Sequence, residues 1–181
     1  MSSRAASRRV YTGRVINVDV DTVRFPNGAL GELEMVRHPG ASAVVPLLSD
    51  PGAADPQILL LRQYRYAAEQ FLYEIPAGRL APGENPEICA HRELAEETGC
   101  SATRIEPLLT FYTTPGFTDE RIHVFMATGL ARGEARHETD EFIEVEAYPL
   151  SVVLSMIGQG QIQDAKTALS LLYFAGYRLG A

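Results

Sequence analysis

The stretch from Asn85 to Gly99, Asn-Pro-Glu-Ile-Cys-Ala-His-Arg-Glu-Leu-Ala-Glu-Glu-Thr-Gly, constrains the fold of this chain more than any other. Asn85 is a good N-cap, Pro86 falls at the first helical position where its missing N–H costs nothing, and Gly99 is the natural residue after the last turn. The spacing predicts a helix from Pro86 to Thr98. Glu93 and Glu97 then lie on one face, with Glu96 one residue to the side. For a helix this is an awkward arrangement. Like charges four residues apart cost roughly 0.2–0.5 kcal/mol. Acids in the last two turns also oppose the helix dipole, by about 0.3–1 kcal/mol each. Arg92 offsets one of them, most naturally Glu96 at i+4, and nothing nearby in sequence offsets the others.

Two readings stand at this point. The acids form a solvated surface stripe, or they are oxygen ligands for a hard divalent cation such as Mg²⁺ or Mn²⁺, whose charge makes the arrangement tolerable. The overall charge bears on the choice. Sixteen Lys and Arg against twenty-three Asp and Glu leave a formal net charge of −7, which argues against non-specific nucleic-acid binding and against an anionic membrane surface. An acidic protein that takes a phosphate-bearing ligand needs a local source of positive charge, and a bound cation is one. The turn Ala77-Gly78 before the helix, at the end of a strand, offers a backbone carbonyl that could complete a metal shell.

The rest of the chain reads as one ordinary domain of mixed strands and helices. At 181 residues, 46% hydrophobic and 22% charged, it is neither disordered nor fibrous. Val18 and Val20 alternating with Asp19 and Asp21 read as a half-exposed strand running to Phe25. Pro26-Asn27-Gly28 turns it into a returning strand, Leu30 to Val36. Further strands are expected at 41–48, 58–61, 71–75, 107–112, 121–127 and 142–148, with Pro76-Ala77-Gly78 ending the third of these. Helices are expected near 150–157 and 164–177. The opening residues, Met1 to Thr12, are polar and carry no apolar stretch of signal-peptide type. No apolar run approaches the length of a membrane helix. Cys89 and Cys100 read as small core residues in a reducing, cytoplasmic setting. The single lysine, Lys166, suggests no role.

The run Gly78, five residues, Glu84, seven residues, Arg92-Glu93-Leu94-Ala95-Glu96-Glu97-Thr98-Gly99-Cys100 resembles the signature box of the Nudix hydrolases. Every fixed position matches; only Cys100 stands where a branched aliphatic residue is usual. The resemblance implies an α/β (α+β) fold, a mixed sheet sandwiched between helices, with residues 41–181 as the Nudix domain. Residues 1–40 would be an N-terminal hairpin region used for homodimerisation. It also implies metal-dependent substitution by water at phosphorus. Glu93, Glu97 and the Ala77 carbonyl would be metal ligands, with Glu96 and Arg92 fixing their orientation and Glu84 ordering the loop or holding a further metal.

Beyond the box the chain is similar to the ADP-ribose pyrophosphatase branch, roughly from Gly13 to Leu172. Arg65, in Gln63-Tyr64-Arg65-Tyr66, matches an arginine before the box. Pro115-Gly116, fifteen residues after Cys100, matches the branch's marker proline. Arg65, Arg79, Thr114, Gly116 and Glu120 are thereby candidate substrate-binding residues. The catalytic base is expected in Glu138-Thr139-Asp140-Glu141, with Glu141 first and Glu138 second; Glu141 is also a candidate metal ligand. The reaction implied is hydrolysis of ADP-ribose, or a related ADP-sugar, to AMP and sugar phosphate. Three alternatives stay open: a pyrophosphatase for another nucleoside diphosphate sugar such as GDP-mannose, a non-catalytic nucleotide-binding Nudix domain, and an acidic surface helix on an unrelated binding protein.

Overall fold

The structure, a computed structural model, describes residues 3–135 and 142–178. The chain divides into two units: residues 1–40 with 111–121, and residues 41–110 with 122–181.

The first unit is built on an antiparallel sheet of β1 (Ser3–Thr12), β2 (Asn17–Arg24) and β3 (Leu30–Arg37), in that order. The β2–β3 turn forms as expected: Asn27 Oδ1 accepts the Ala29 N–H and Gly28 takes φ 86°, a left-handed geometry that favours glycine. Strand β1 is not expected from its composition. It has no apolar alternation and is exposed along its length, so its pairing with β2 defines it. In β2 the alternation is real, but Asp19 and Asp21 are its buried members while Val18 and Val20 are half-buried.

Arginines make that burial possible. Asp19 pairs with Arg9 and with Arg37 Nε at 3.1 Å; Asp21 pairs with Arg37 and accepts from Ser7 Oγ at 2.6 Å. Arg37 Nη1 also reaches Asp119, whose other oxygen accepts the His38 N–H at 2.9 Å. The hydrogen bond from Arg9 holds the Asp19 carboxyl below its ordinary value of 3.8, and that from Ser7 does the same for Asp21, each against an opposing push from burial.

The second unit carries two sheets. One has the order β7-β4-β9-β8 and the other β10-β5-β6, so the strands expected in one mixed sheet are shared between two. β4 (Ala41–Pro46) is buried at every residue, as expected of a central strand. It runs parallel to β9 (Arg121–Arg132) and antiparallel to β7 (Ala77–Arg79). β5 (Gln57–Arg65) lies between β6 (Gln70–Glu74) and β10 (Ile143–Pro149). β8 (Cys100–Tyr112) begins directly after the box helix, seven residues before the sequence suggests. The segment expected only to end a strand, 76–78, instead enters β7, because Pro76 O accepts from Val44 N at 2.9 Å and the pairing continues.

Among the described residues, α-helices α1 (Pro86–Thr98), α2 (Leu150–Gly158) and α3 (Ala165–Tyr173) complete the unit, the last continuing as a π turn, Phe174–Arg178. Ala90 and Leu94 of α1 pack with Val44, Leu59, Phe125, Ala127 and Cys100. Both cysteines are free and buried. Among the described residues no helix is long and apolar enough to cross a membrane.

Arg37→Met should lower the thermal midpoint at pH 7, because it leaves two buried aspartates short of a partner. Since both carboxyls titrate below 3.8 in the folded chain, the stability they contribute is present above that pH and is lost as pH falls through their folded values. The deficit of the variant, measured by calorimetry, should therefore be largest near neutrality and shrink towards pH 3.

Candidate active site

Helix α1 is set by its caps. Asn85 Oδ1 accepts the Glu87 N–H at 2.8 Å, Pro86 occupies the first turn, and Gly99 closes the helix at φ 68°. Ser42 Oγ donates to Pro86 O at 2.7 Å, tying the start of the helix to β4. This orientation turns Glu93 and Glu97 inward, where they are only 8% and 4% exposed, and leaves Glu96 outside.

The two buried carboxylates meet the backbone of β7. Ala77 N–H donates to Glu97 Oε2 at 2.9 Å. A Cβ placed on Gly78 would lie 1.9 Å from Glu93 Oε1. A side chain at Gly78 would therefore displace the Glu93 carboxylate from its present position. The expectation that Arg92 serves mainly Glu96 is too narrow. Arg92 Nη1 reaches Glu96 at 3.0 Å and Glu93 at 2.5 Å, Nε and Nη2 hold Glu84 at 3.0 and 3.1 Å, and Nη2 also donates to Arg79 O at 3.1 Å. Glu84 further accepts the Ala81 N–H. The Arg92 contact, then that hydrogen bond, bring the Glu84 carboxyl down to about 2. Glu84 thus orders the loop that leads into the helix.

The donor set suits a hard divalent cation. Two buried carboxylates face a stretch of backbone at contact distance, and Mg²⁺ is commonly held by one or two carboxylates with substrate phosphate and water completing the shell. Among the described residues no three His, Cys, Asp or Glu side chains gather as a metal cage. Among the described residues, Glu93 and Glu97 are the side chains of α1 that could hold such an ion.

The remaining candidates are distributed as follows. Arg65 is clamped on Glu74, Nε to Oε1 at 2.6 Å and Nη2 to Oε2 at 2.8 Å. Arg79 is exposed at the end of β7. Thr114, Gly116 and Glu120 belong to the first unit. There the Thr114 carbonyl accepts from Phe117 N and Thr118 N. Gly116 has no left-handed φ, and a Cβ on it would meet nothing within 4 Å, so the turn itself does not require glycine. Glu120 accepts from Thr113 Oγ1 at 2.9 Å and lies 3.3 Å from His38 Nδ1. Glu138 and Glu141 lie outside the described residues. Sequence reasoning missed Glu74, Lys166 and Asp164, which gather around Arg65, and Glu134, which lines an open depression of about 510 Å³ with Arg92, Ala95 and Glu96. Only the third dimension brings these together.

The model of the Nudix domain matches residues 37–169. The chain belongs to the Nudix family. It is 41% identical over 170 residues to the ADP-ribose pyrophosphatase of Bacillus subtilis (strain 168), covering 93% of this chain and 89% of that protein. It is 40% identical over 169 residues to the methanol dehydrogenase activator of Bacillus methanolicus, covering 92% and 89%. A solved structure, described as the crystal structure of an ADP compounds hydrolase, superposes with a TM-score of 0.83 over 99% of this chain and 95% of that one. At 20% identity that likeness is one of fold. The mixed α+β Nudix fold and the assignment as a Nudix hydrolase both stand on these matches and on the box geometry.

Gly78→Ala should leave the circular dichroism spectrum of the chain intact. It should nevertheless lower metal-dependent turnover by about 10²-fold, the loss expected when catalytic groups move by about an ångström.

Proposed function

We propose that this Nudix hydrolase cleaves the diphosphate of ADP-ribose, or a related ADP-sugar, to AMP and sugar phosphate, with water attacking phosphorus. The observation that carries the reading is the pair of buried carboxylates, Glu93 and Glu97, set against the backbone at Ala77 and Gly78. The similarity to a protein named ADP-ribose pyrophosphatase over nearly the whole chain supports the choice of substrate.

In this reading Glu93, Glu97 and the Ala77 carbonyl hold Mg²⁺ or Mn²⁺. When bound, the ion supplies charge neutralisation at the bridging phosphate oxygens and a lowered pKa for water. Arg92 keeps Glu93 in place while Glu96 balances its charge. Arg65 and Arg79 offer planar forks of donors to phosphate or ribose oxygens. Thr114, Gly116 and Glu120 contribute to the substrate site, Glu120 as an acceptor for ribose hydroxyls. Glu141, with Glu138 as second candidate, takes the proton from water, and Glu141 is also a candidate metal ligand. The enzyme works in the cytoplasm, as a homodimer formed through residues 1–40.

Glu93→Gln and Glu97→Gln preserve shape and remove charge. Each should reduce Mg²⁺-dependent release of AMP from ADP-ribose by about 10²-fold or more, at or beyond the upper end of the 10–100-fold lost when only a partner of a metal ligand is changed. Near-normal activity in both variants would reject the ligand roles. A panel that includes GDP-mannose separates the ADP-sugar reading from its neighbour.

The homodimer has its own test. A chain beginning near residue 41 should elute as a monomer by light scattering and lose most of its activity; a fully active monomer would overturn the dimer.

A further inference from the structure

Glu74, at the end of β6, is a carboxylate only 2% exposed that two cations share. Arg65 takes both oxygens from one side, while Lys166 Nζ contacts Oε2 and also sits 3.0 Å from Asp164 Oδ2. Asp164 caps α3, accepting from Thr167 N at 2.9 Å and Thr167 Oγ1 at 2.5 Å. That hydroxyl accepts the Ile75 N–H at 2.9 Å, one residue beyond Glu74. The first turn of α3 is thus locked to the end of β6, and Lys166 is carried on it. Burial pushes the Glu74 carboxyl up, but Arg65 and Lys166 together outweigh it and hold the group below its ordinary value.

The stereochemistry of the guanidinium gives this clamp a use. Arginine has five N–H donors in a plane. Glu74 occupies the edge formed by Nε and Nη2. The other edge, formed by Nη1 and the outer Nη2–H, faces away from Glu74 and is free in direction to meet a second anion. The Arg65 side chain is 42% exposed while that of Lys166 is 12% exposed. The charge of Glu97, on the metal-binding face of α1, contributes to raising the Arg65 pKa, after the larger effect of Glu74. The exposed cation near α1 is therefore held by the buried carboxylate, and the buried carboxylate by the buried lysine.

We propose that Glu74 and Lys166 are positioning residues for the substrate diphosphate: Glu74 fixes the guanidinium plane of Arg65, and Lys166 fixes Glu74. This rests on the reading above that Arg65 meets the substrate. Neither positioning residue touches it. Lys166, the chain's only lysine, acts through two ion pairs and from α3, about a hundred residues further along the chain than Arg65.

The test is a double-mutant cycle on the full chain. Arg65→Ala, Lys166→Met and Glu74→Gln should each raise KM for ADP-ribose by roughly tenfold, the scale of one charge-assisted hydrogen bond. In Lys166→Met, kcat should change far less than KM. Lys166→Arg should restore KM. Lys166→Met placed in the Arg65→Ala background should add nothing further. A structural role for Lys166 alone would give losses that add, or a fall in kcat and stability with KM unmoved, and either result overturns the proposal. Should Glu74→Gln fail to fold, the Lys166 arms decide. Should the wild type hydrolyse another sugar nucleotide of the panel, the ADP-ribose reading fails and the same cycle is run on that substrate. Should it hydrolyse none, the cycle is read in the Kd for inorganic pyrophosphate with Mg²⁺, and a wild type that does not bind it overturns this proposal too.

Discussion

A carboxylate taken out of water must find donors or a cation, because the unpaired charge costs several kcal/mol. At α1 that requirement organises the second unit. Glu97 is met by the amide of Ala77, Glu93 by Arg92, and the backbone at Gly78 comes so close that a side chain there would push the Glu93 carboxylate aside. The short strand β7 is therefore pinned from both sides, by pairing with β4 and by the acids of the helix. An apolar helix in the same place would pack as well. It would not draw a strand of backbone against two carboxylates, and that juxtaposition is what suits the site to a hard cation.

Helix α1 was legible from its sequence because its determinants are local. Cap, proline, terminal glycine and the i,i+4 acids lie within fifteen residues, and the box spacing extends only seven residues further back. The same holds for the Asn27-Gly28 turn. What was not legible depends on partners far away in the chain. The Val-Asp alternation of β2 announces a strand, yet which set is buried depends on Arg9 and Arg37 of the neighbouring strands, and the arginines reverse the usual preference. Strand β1 has no pattern of its own. Glu74 and Lys166 are separated by ninety-two residues, so nothing in the sequence pairs them. Arg65, a phosphate-binding candidate by its sequence context, sits on Glu74, which the sequence presents as an ordinary acid before a proline-containing turn.

Arginine does this work repeatedly. Arg37 engages three aspartates through all three of its nitrogens, and Arg92 engages three glutamates and a carbonyl. A planar fork with five donors can serve several acids at once, where an ammonium provides one compact charge. With seven more acids than bases, the chain uses its cations as hubs. Lys166 fits the exception: it fills a narrow gap between Glu74 and Asp164.

These differences decide which cations remain for a diphosphate. Arg92 spends its donors on Glu84, Glu93, Glu96 and the Arg79 carbonyl, so its charge balances the helix acids. Among the described residues Arg65 is bound along one edge, and Arg79 stands exposed beside the glycine that the buried acids of α1 approach. A net charge of −7 would repel a polyanion from most of the surface, so attraction has to be local. Two arginines next to a pair of buried carboxylates whose chemistry suits a divalent ion supply that local field, and they supply it with direction. The acids that make the protein unfavourable for phosphate in bulk are, at this one place, what gathers the positive charge.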